Sequence, residues 1–171
     1  MKALNYVLKE WIVPIVVAFV IVLLLNKFVF VLVTVPSGSM ERTIMPGDRL
    51  FVTKLFDKDN LETGDIIVFN SDELEKVLVK RLIGLPQEEV YIDEDGKIYI
   101  DGVLLDEPYT TGYPQSAQIF QVPEDNYLFL GDCRSSSHDG RTWEDPYIPK
   151  DKLMGVALFR FFPFNRIGKI E

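Results

Sequence analysis

A chain of 171 residues with one histidine and one cysteine has few routes to an activated nucleophile. A Ser-His-Asp triad would have to use His138. Its neighbour Asp139 is badly placed to orient the ring, because adjacent residues of an extended segment point to opposite faces. A Cys-His pair would draw Cys133 and His138 from one short segment, with no separate group to hold the imidazole. A three-histidine zinc site is excluded by count and no H-E-x-x-H pattern occurs, whereas a mixed carboxylate metal site stays open. There is no Walker or dinucleotide glycine motif. His138 therefore reads as a surface residue, and no cofactor is expected.

A serine activated by something other than histidine is left. In residues 35–40 (VPSGSM), Pro36 stiffens the entry and Gly38 suggests a backbone conformation that a side chain would forbid. Such a turn holds a hydroxyl out and aims backbone N–H groups at the same point; the alternative is a plain loop. Residues 77–83 (VLVKRLI) supply a candidate base. Strand alternation puts Leu78, Lys80 and Leu82 on one face and Val79, Arg81 and Ile83 on the other. Both faces are apolar, so at least one cation is set against apolar surroundings. A buried lysine gives up its proton, and an arginine does not. Moving a lysine from about 10.4 to about 7–8 takes roughly 3 pKa units, or about 4 kcal/mol, which burial supplies. The alternative is a lysine whose stem lies along the sheet with its ammonium in water.

These residues need a scaffold. Short β-branched runs separated by turn residues occur at 49–55, 65–69, 76–85, 89–92, 97–100, 127–130 and 153–162, and Gly-Asp pairs at 47–48, 64–65 and 131–132 adjoin three of them. DEDG at 93–96, between VYI and IYI, predicts a hairpin. Residues 106–118 read as a long exposed loop. The pattern predicts a mainly β, antiparallel domain. Phe159, Phe161, Phe162 and Phe164 suit either a core strand end or an apolar surface in a lipid headgroup layer. The net charge of −8 argues against nucleic-acid binding.

In front of this domain, residues 11–26 carry no charge, Lys27 interrupts, and 28–35 are apolar again. A bilayer-spanning helix needs about 20 apolar residues. The run reaches that length by taking in part of 5–8 or 28–31, with Lys9 and Lys27 snorkelling at opposite interfaces. Lys2 and Lys9 against Glu10 favour a cytoplasmic N-terminus. A buried core helix and a cleaved signal peptide, with Ser37-Gly38-Ser39 before Met40, are the competing readings. The expected division is 1–33 as cytoplasmic stub and anchor, and 34–171 as extracytoplasmic catalytic domain.

The motifs, in order, are the apolar segment, PSGSM at 36–40, GDIIVF at 64–69, VKRLIGLP at 79–86, GDCRSSSHDGR at 131–141 and FRFFPFNRIG at 159–168. Together they resemble the type I signal peptidase (leader peptidase) family over nearly the whole chain. The resemblance implies a single transmembrane helix carrying a β-rich domain in a bacterial membrane. It also implies removal of signal peptides from exported preproteins after small-x-small sites. Ser39 matches the nucleophile, Lys80 the general base, and Ser37 the hydroxyl that forms the oxyanion hole with the Ser39 N–H. Ser137 matches the serine that orients the lysine, and Asp139 and Arg141 a structural ion pair. Val35, Pro36, Met40, Ile44, Leu78 and Val79 match substrate-pocket positions. Preproteins and the lipid bilayer are the implied partners, with export machinery a further candidate. Arg42 replaces the usual proline, Gln87-Glu88 the usual Gly-Asp, Cys133 an asparagine and Gly140 a serine. A signal-peptide-binding paralogue with impaired catalysis and a self-cleaving Ser–Lys regulator are the alternative functions.

Overall fold

The computed structural model describes residues 8–54, 58, 60–112 and 116–170. Of the positions invoked above, Lys2, residues 5–7, Leu55 and residues 113–115 lie outside these, as does the Lys27 side chain.

A π-helical turn, Leu8–Ile12, leads into helix α1, Val13–Phe28. Residues 11–24 of this unit are apolar all round and exposed all round, so no protein core claims them. At 16 residues, α1 stops where β-branched residues begin to alternate. Residues 30–34, whose start was expected to extend the helical span, instead form strand β1, Phe30–Thr34, paired with β2, Arg49–Lys54. Val31 and Val33 turn to the core while Leu32 and Thr34 face out, the period of a strand rather than of a helix. No helix among the described residues is long and apolar enough to cross a membrane.

The remainder is mainly β. The further strands are β3 (Ile66–Ser71), β4 (Lys76–Gly84), β5 (Glu89–Ile92), β6 (Ile98–Ile100), β7 (Val103–Leu104) and β8 (Gln118–Gln121). They continue with β9 (Asn126–Leu130), β10 (Tyr147–Pro149), β11 (Leu153–Phe162) and β12 (Gly168–Lys169). One sheet runs β1-β2-β11-β3-β4-β9-β10 with β12 on β11, and a smaller one runs β7-β6-β5-β8. All ladders between these strands are antiparallel. The hairpin expected at 93–96 closes β5 on β6, with Asp93 accepting from the Asp95 and Lys97 amides.

Packing follows the alternation. Phe69 and Phe129 stack 4.5 Å apart with Trp143 edge-on to Phe69, in one cluster of the large sheet. Val35, Met40, Ile44, Val52, Val68 and Val79 share another. Ile83, Leu128 and Leu130 join the small sheet to the large one through Val90, Ile92, Ile98 and Phe120. Each such side chain stabilises the fold by about 1.5–3 kcal/mol through burial. The segment expected to be a long exposed loop behaves differently. Glu107, Tyr109 and Thr111 are half-buried, and Gln118 already belongs to β8.

Candidate active site

β4 positions the first pair of groups. It pairs with β3 along residues 76–81, but with β9 only from Arg81 onward. Residues 76–80 therefore keep one open strand edge, and Lys80 sits at the point where that edge closes. Both cations of the run are buried, Lys80 at 3% exposure and Arg81 at 4%.

Their surroundings differ. Arg81 donates from Nε and Nη2 to the two carboxylate oxygens of Asp132 at 2.9 and 2.8 Å and from Nη1 to the Gly64 carbonyl at 2.8 Å. Thr43 Oγ1 donates to the same carboxylate. Lys80 Nζ donates to Ser137 Oγ at 2.7 Å. Burial is the main influence on its pKa, pulling it from the ordinary lysine value to about 8. Asp139 and Asp132 oppose that fall and Arg141 adds to it.

The segment 131–141 supplies Ser137 and holds itself rigid. Asp139 is fully buried; it accepts from the Gly131 amide at 2.9 Å and pairs with Arg141 Nε at 2.8 Å. Burial pushes the Asp139 carboxyl up, but the Arg141 hydrogen bonds and charge, the Gly131 amide and the Ser137 hydroxyl outweigh it, and its pKa is lowered. Gly131 is sterically required. A Cβ there would collide with Ser137 Oγ and the Ser39 carbonyl. The Cys133 amide donates to that carbonyl at 3.1 Å, so the segment lies directly against the serine turn.

Ser39 heads a helical turn in which the Glu41 amide donates to Gly38 O and the Ile44 amide to Met40 O. Buried Met40 and Ile44 anchor it. Gly38 does not have the positive φ that its presence suggested; a Cβ there would meet the Glu41 carboxyl, the movable end of a flexible side chain. Turn and strand face each other across a cleft of about 800 Å³. Thr34, Val35, Pro36, Ser37, Ser39 and Met40 line one wall, Val77, Leu78, Val79 and Lys80 the other, with Ser136 and His138 at the end. The expected site residues thus converge, except that Ile44 packs in the core with Val35 and Met40 and does not line the cleft. His138 is exposed, as expected, and also borders the cleft.

The pattern of the family described as signal peptidase, peptidase S26, matches residues 8–162. The chain belongs to this family. It is a serine protease of the signal peptidase I type, a peptide-bond hydrolase. It is 36% identical to signal peptidase I of Bacillus licheniformis over 96% of this chain and 94% of that one. A probable signal peptidase I-2 of Synechocystis is 39% identical over 78% of this chain, which spans 64% of that relative's length. The crystal structure of a signal peptidase I from Enterococcus faecalis superposes with a TM-score of 0.51 at 32% identity, covering 57% of this chain and 96% of that one.

The departures from the family pattern have local geometry behind them. Arg42 sits at φ 79, which a proline ring cannot reach. Gln87 occupies φ 72 after Pro86, in a turn where the Glu88 amide donates to Leu85 O and the Glu88 carboxylate accepts from the Leu85 amide. Gly140 is buried where a Cβ would come within 2.7 Å of Leu128 Cδ1. Cys133 is half-buried and receives the Ser136 hydroxyl at 2.9 Å. Sequence reasoning missed Asp132, Thr43, Glu107 and Tyr109. The Gly-Asp pair at 131–132 was their one visible trace.

Proposed function

We propose that this signal peptidase cleaves exported preproteins with Ser39 as nucleophile and Lys80 as general base, anchored to a bacterial membrane with its catalytic domain outside. The observation that carries the reading is a lysine with about 3% exposure, its pKa drawn down to about 8, on the wall of the cleft that holds Ser39. A neutral amine has two N–H bonds and one lone pair. One N–H donates to Ser137, which leaves the lone pair free to point into the cleft. As Ser39 Oγ attacks the scissile carbonyl, its proton passes to Lys80 Nζ and then to the departing amine. Lys80 next takes a proton from water as its oxygen attacks the acyl ester, and returns that proton to Ser39 Oγ as the ester bond breaks. The Ser39 N–H and the Ser37 hydroxyl hold the oxyanion; a donor of this kind is typically worth about 3–4 kcal/mol. Asp139 and Arg141 keep Ser137 in place.

Substrate binding follows from the open edges. The 76–80 edge of β4 and the chain leaving β1 line opposite walls, so an extended peptide fits between them as an added strand. Val35, Pro36, Met40, Leu78 and Val79 then form shallow apolar pockets that accept alternate small side chains, the small-x-small pattern of signal-peptide cleavage sites.

The helix supports the anchor. Sixteen residues span about 24 Å, against roughly 30 Å of hydrocarbon, and the five-residue π turn precedes them. On this reading the anchor gives way to the catalytic domain near 29–34, where α1 ends and β1 begins. Exposed Phe159, Phe162 and Phe164 continue the apolar surface beside β1 and suit contact with the headgroup layer. Export machinery is a further partner on this reading. The test is cleavage of a preprotein by detergent-solubilised enzyme. Ser39→Ala and Lys80→Ala should each be inactive, and full cleavage by either would sink the dyad.

A further inference from the structure

The catalytic segment is held from behind by a strap that belongs to the smaller sheet. After β7 the chain crosses to residues 131–135. The Thr111 amide donates to Asp132 O at 2.9 Å and the Arg134 amide to Thr111 O at 2.7 Å. Gly112, at φ 76, lies so close to Ser135 that a Cβ would come within 2.6 Å of its hydroxyl. The Tyr109 ring covers Arg81, with Cζ 3.6 Å from the ring centroid, and its hydroxyl donates to Glu107 Oε1 at 3.1 Å. Burial first, then the Glu107 charge, raises the Tyr109 phenol, so it stays a protonated donor at working pH. Glu107 in turn pairs with Arg134 Nη2 at 2.5 Å, with both side chains under 10% exposed.

Apart from the Tyr109–Glu107 hydrogen bond within the strap, each of these contacts ends on Arg81 or on residues 131–135. The same segment carries Ser137, and Gly131 is wedged between Ser137 and Ser39. The strap cannot shift without moving the Ser137 hydroxyl relative to the Lys80 amine. An Arg81 stacked on an aromatic face and forked onto Asp132 also fixes the register of its neighbour Lys80. We propose that Glu107 and Tyr109 are positioning residues of the proteolytic reaction, holding segment 131–137 against β4 so that Ser137 meets Lys80. The inference rests on the Ser39–Lys80 reading.

Lys80 is faced by Asp139, Arg141 and Asp132, with Glu41, Lys76 and His138 along the cleft. Substitutions of Tyr109 leave all of these charges, and the Glu107–Arg134 pair, in place. Loss of the ring lets the segment part from β4 and admits water to the amine, which moves its pKa up.

The test measures kcat and KM of the full-length enzyme in detergent between pH 6 and 10, with thermal unfolding alongside. Tyr109→Ala should lower kcat about tenfold with KM within about twofold, the mark of lost positioning rather than lost binding. Its acid limb should move up by about half a pH unit or more. Tyr109→Phe keeps the ring and should recover at least half of that loss. Glu107→Gln should lower kcat in the same sense. Tyr109→Leu replaces the alanine variant if that one does not fold. The proposal is overturned if the ring-less variant keeps the parent's kcat and acid limb. It is equally overturned if kcat falls only with the folded fraction while the limb stays put. Lys80→Ala is the control: full cleavage by that variant removes the dyad itself, an outcome separate from any result at Tyr109.

Discussion

Lys80 and Arg81 are neighbours on one strand and almost equally buried, yet the fold treats them in opposite ways. Arg81 meets a bidentate carboxylate, a backbone carbonyl and an aromatic face. Lys80 meets a neutral hydroxyl. Asp139 and Asp132 act on it electrostatically, but they do not offset the loss of water. One cation is matched and keeps its charge. The other is left under-compensated and gives up its proton near pH 8. Burial alone does not make a base; it does so only for a group able to lose its proton, in a site that withholds a direct counter-ion.

The largest effect comes from erasing the difference in chemistry. Lys80→Arg puts a permanently charged group in the place of the amine. Preprotein cleavage should fall about 10⁴-fold or more at every pH, as for Lys80→Ala. A variant that recovers at high pH would break the comparison.

Removing the match on the other side comes next. Asp132→Ala leaves the Arg81 guanidinium buried without its carboxylate and should cost about 3–5 kcal/mol of stability, read by denaturant unfolding. A cost below about 1 kcal/mol would mean that Arg81 is not held by this pair.

The under-compensated lysine should itself be a burden on the fold. Its folded pKa is about 8, below the unfolded value. Between about pH 8 and 10.4 the unfolded chain binds the extra proton, so this contribution to stability rises with pH across that window and is a penalty below it. Lys80→Met should therefore be more stable than the parent by about 3 kcal/mol at pH 7, with the advantage shrinking toward pH 10. An equal advantage at both pH values would remove the link to protonation.

The same titration governs the rate. If the neutral amine is the active form, as proposed, kcat/KM should climb with pH and level off above about 8. A flat profile between pH 6 and 9 would separate the base from Lys80.

The smallest effect lies just beyond the same strand. Gln87→Gly relieves a left-handed backbone conformation and should stabilise the protein by about 1 kcal/mol with cleavage unchanged. It serves as the control for changes that touch neither cation.

Much of this was legible in residue order. The alternation of 77–83 put Lys80 and Arg81 on opposite faces, and the turn chemistry at 93–96 marked a hairpin. Both are local properties of extended backbone. Of 28–31, Phe28 stays in the helix, and the departure at 30–31 has a local cause too. An apolar, β-branched run suits a membrane helix and a buried strand equally well, and it was pairing with β2 that decided for the strand. The strap reads as an exposed loop because nothing local at 106–118 shows that Tyr109 and Glu107 meet Arg81 and Arg134, which are distant in sequence.

The sequence by itself determined the inventory: a single histidine whose neighbouring carboxylate is badly placed for a triad, a serine turn, and two adjacent cations in an apolar run, in the order of a recognisable family. Periodicity and composition suffice for that, because they act over a few residues. That Lys80 is buried without a direct carboxylate partner while Arg81 is matched by one was decided only by the tertiary structure. Asp132 reaches Arg81 from 51 positions away and Ser137 reaches Lys80 from 57. The charge state of a buried group depends on what long-range packing places within a few ångströms of it.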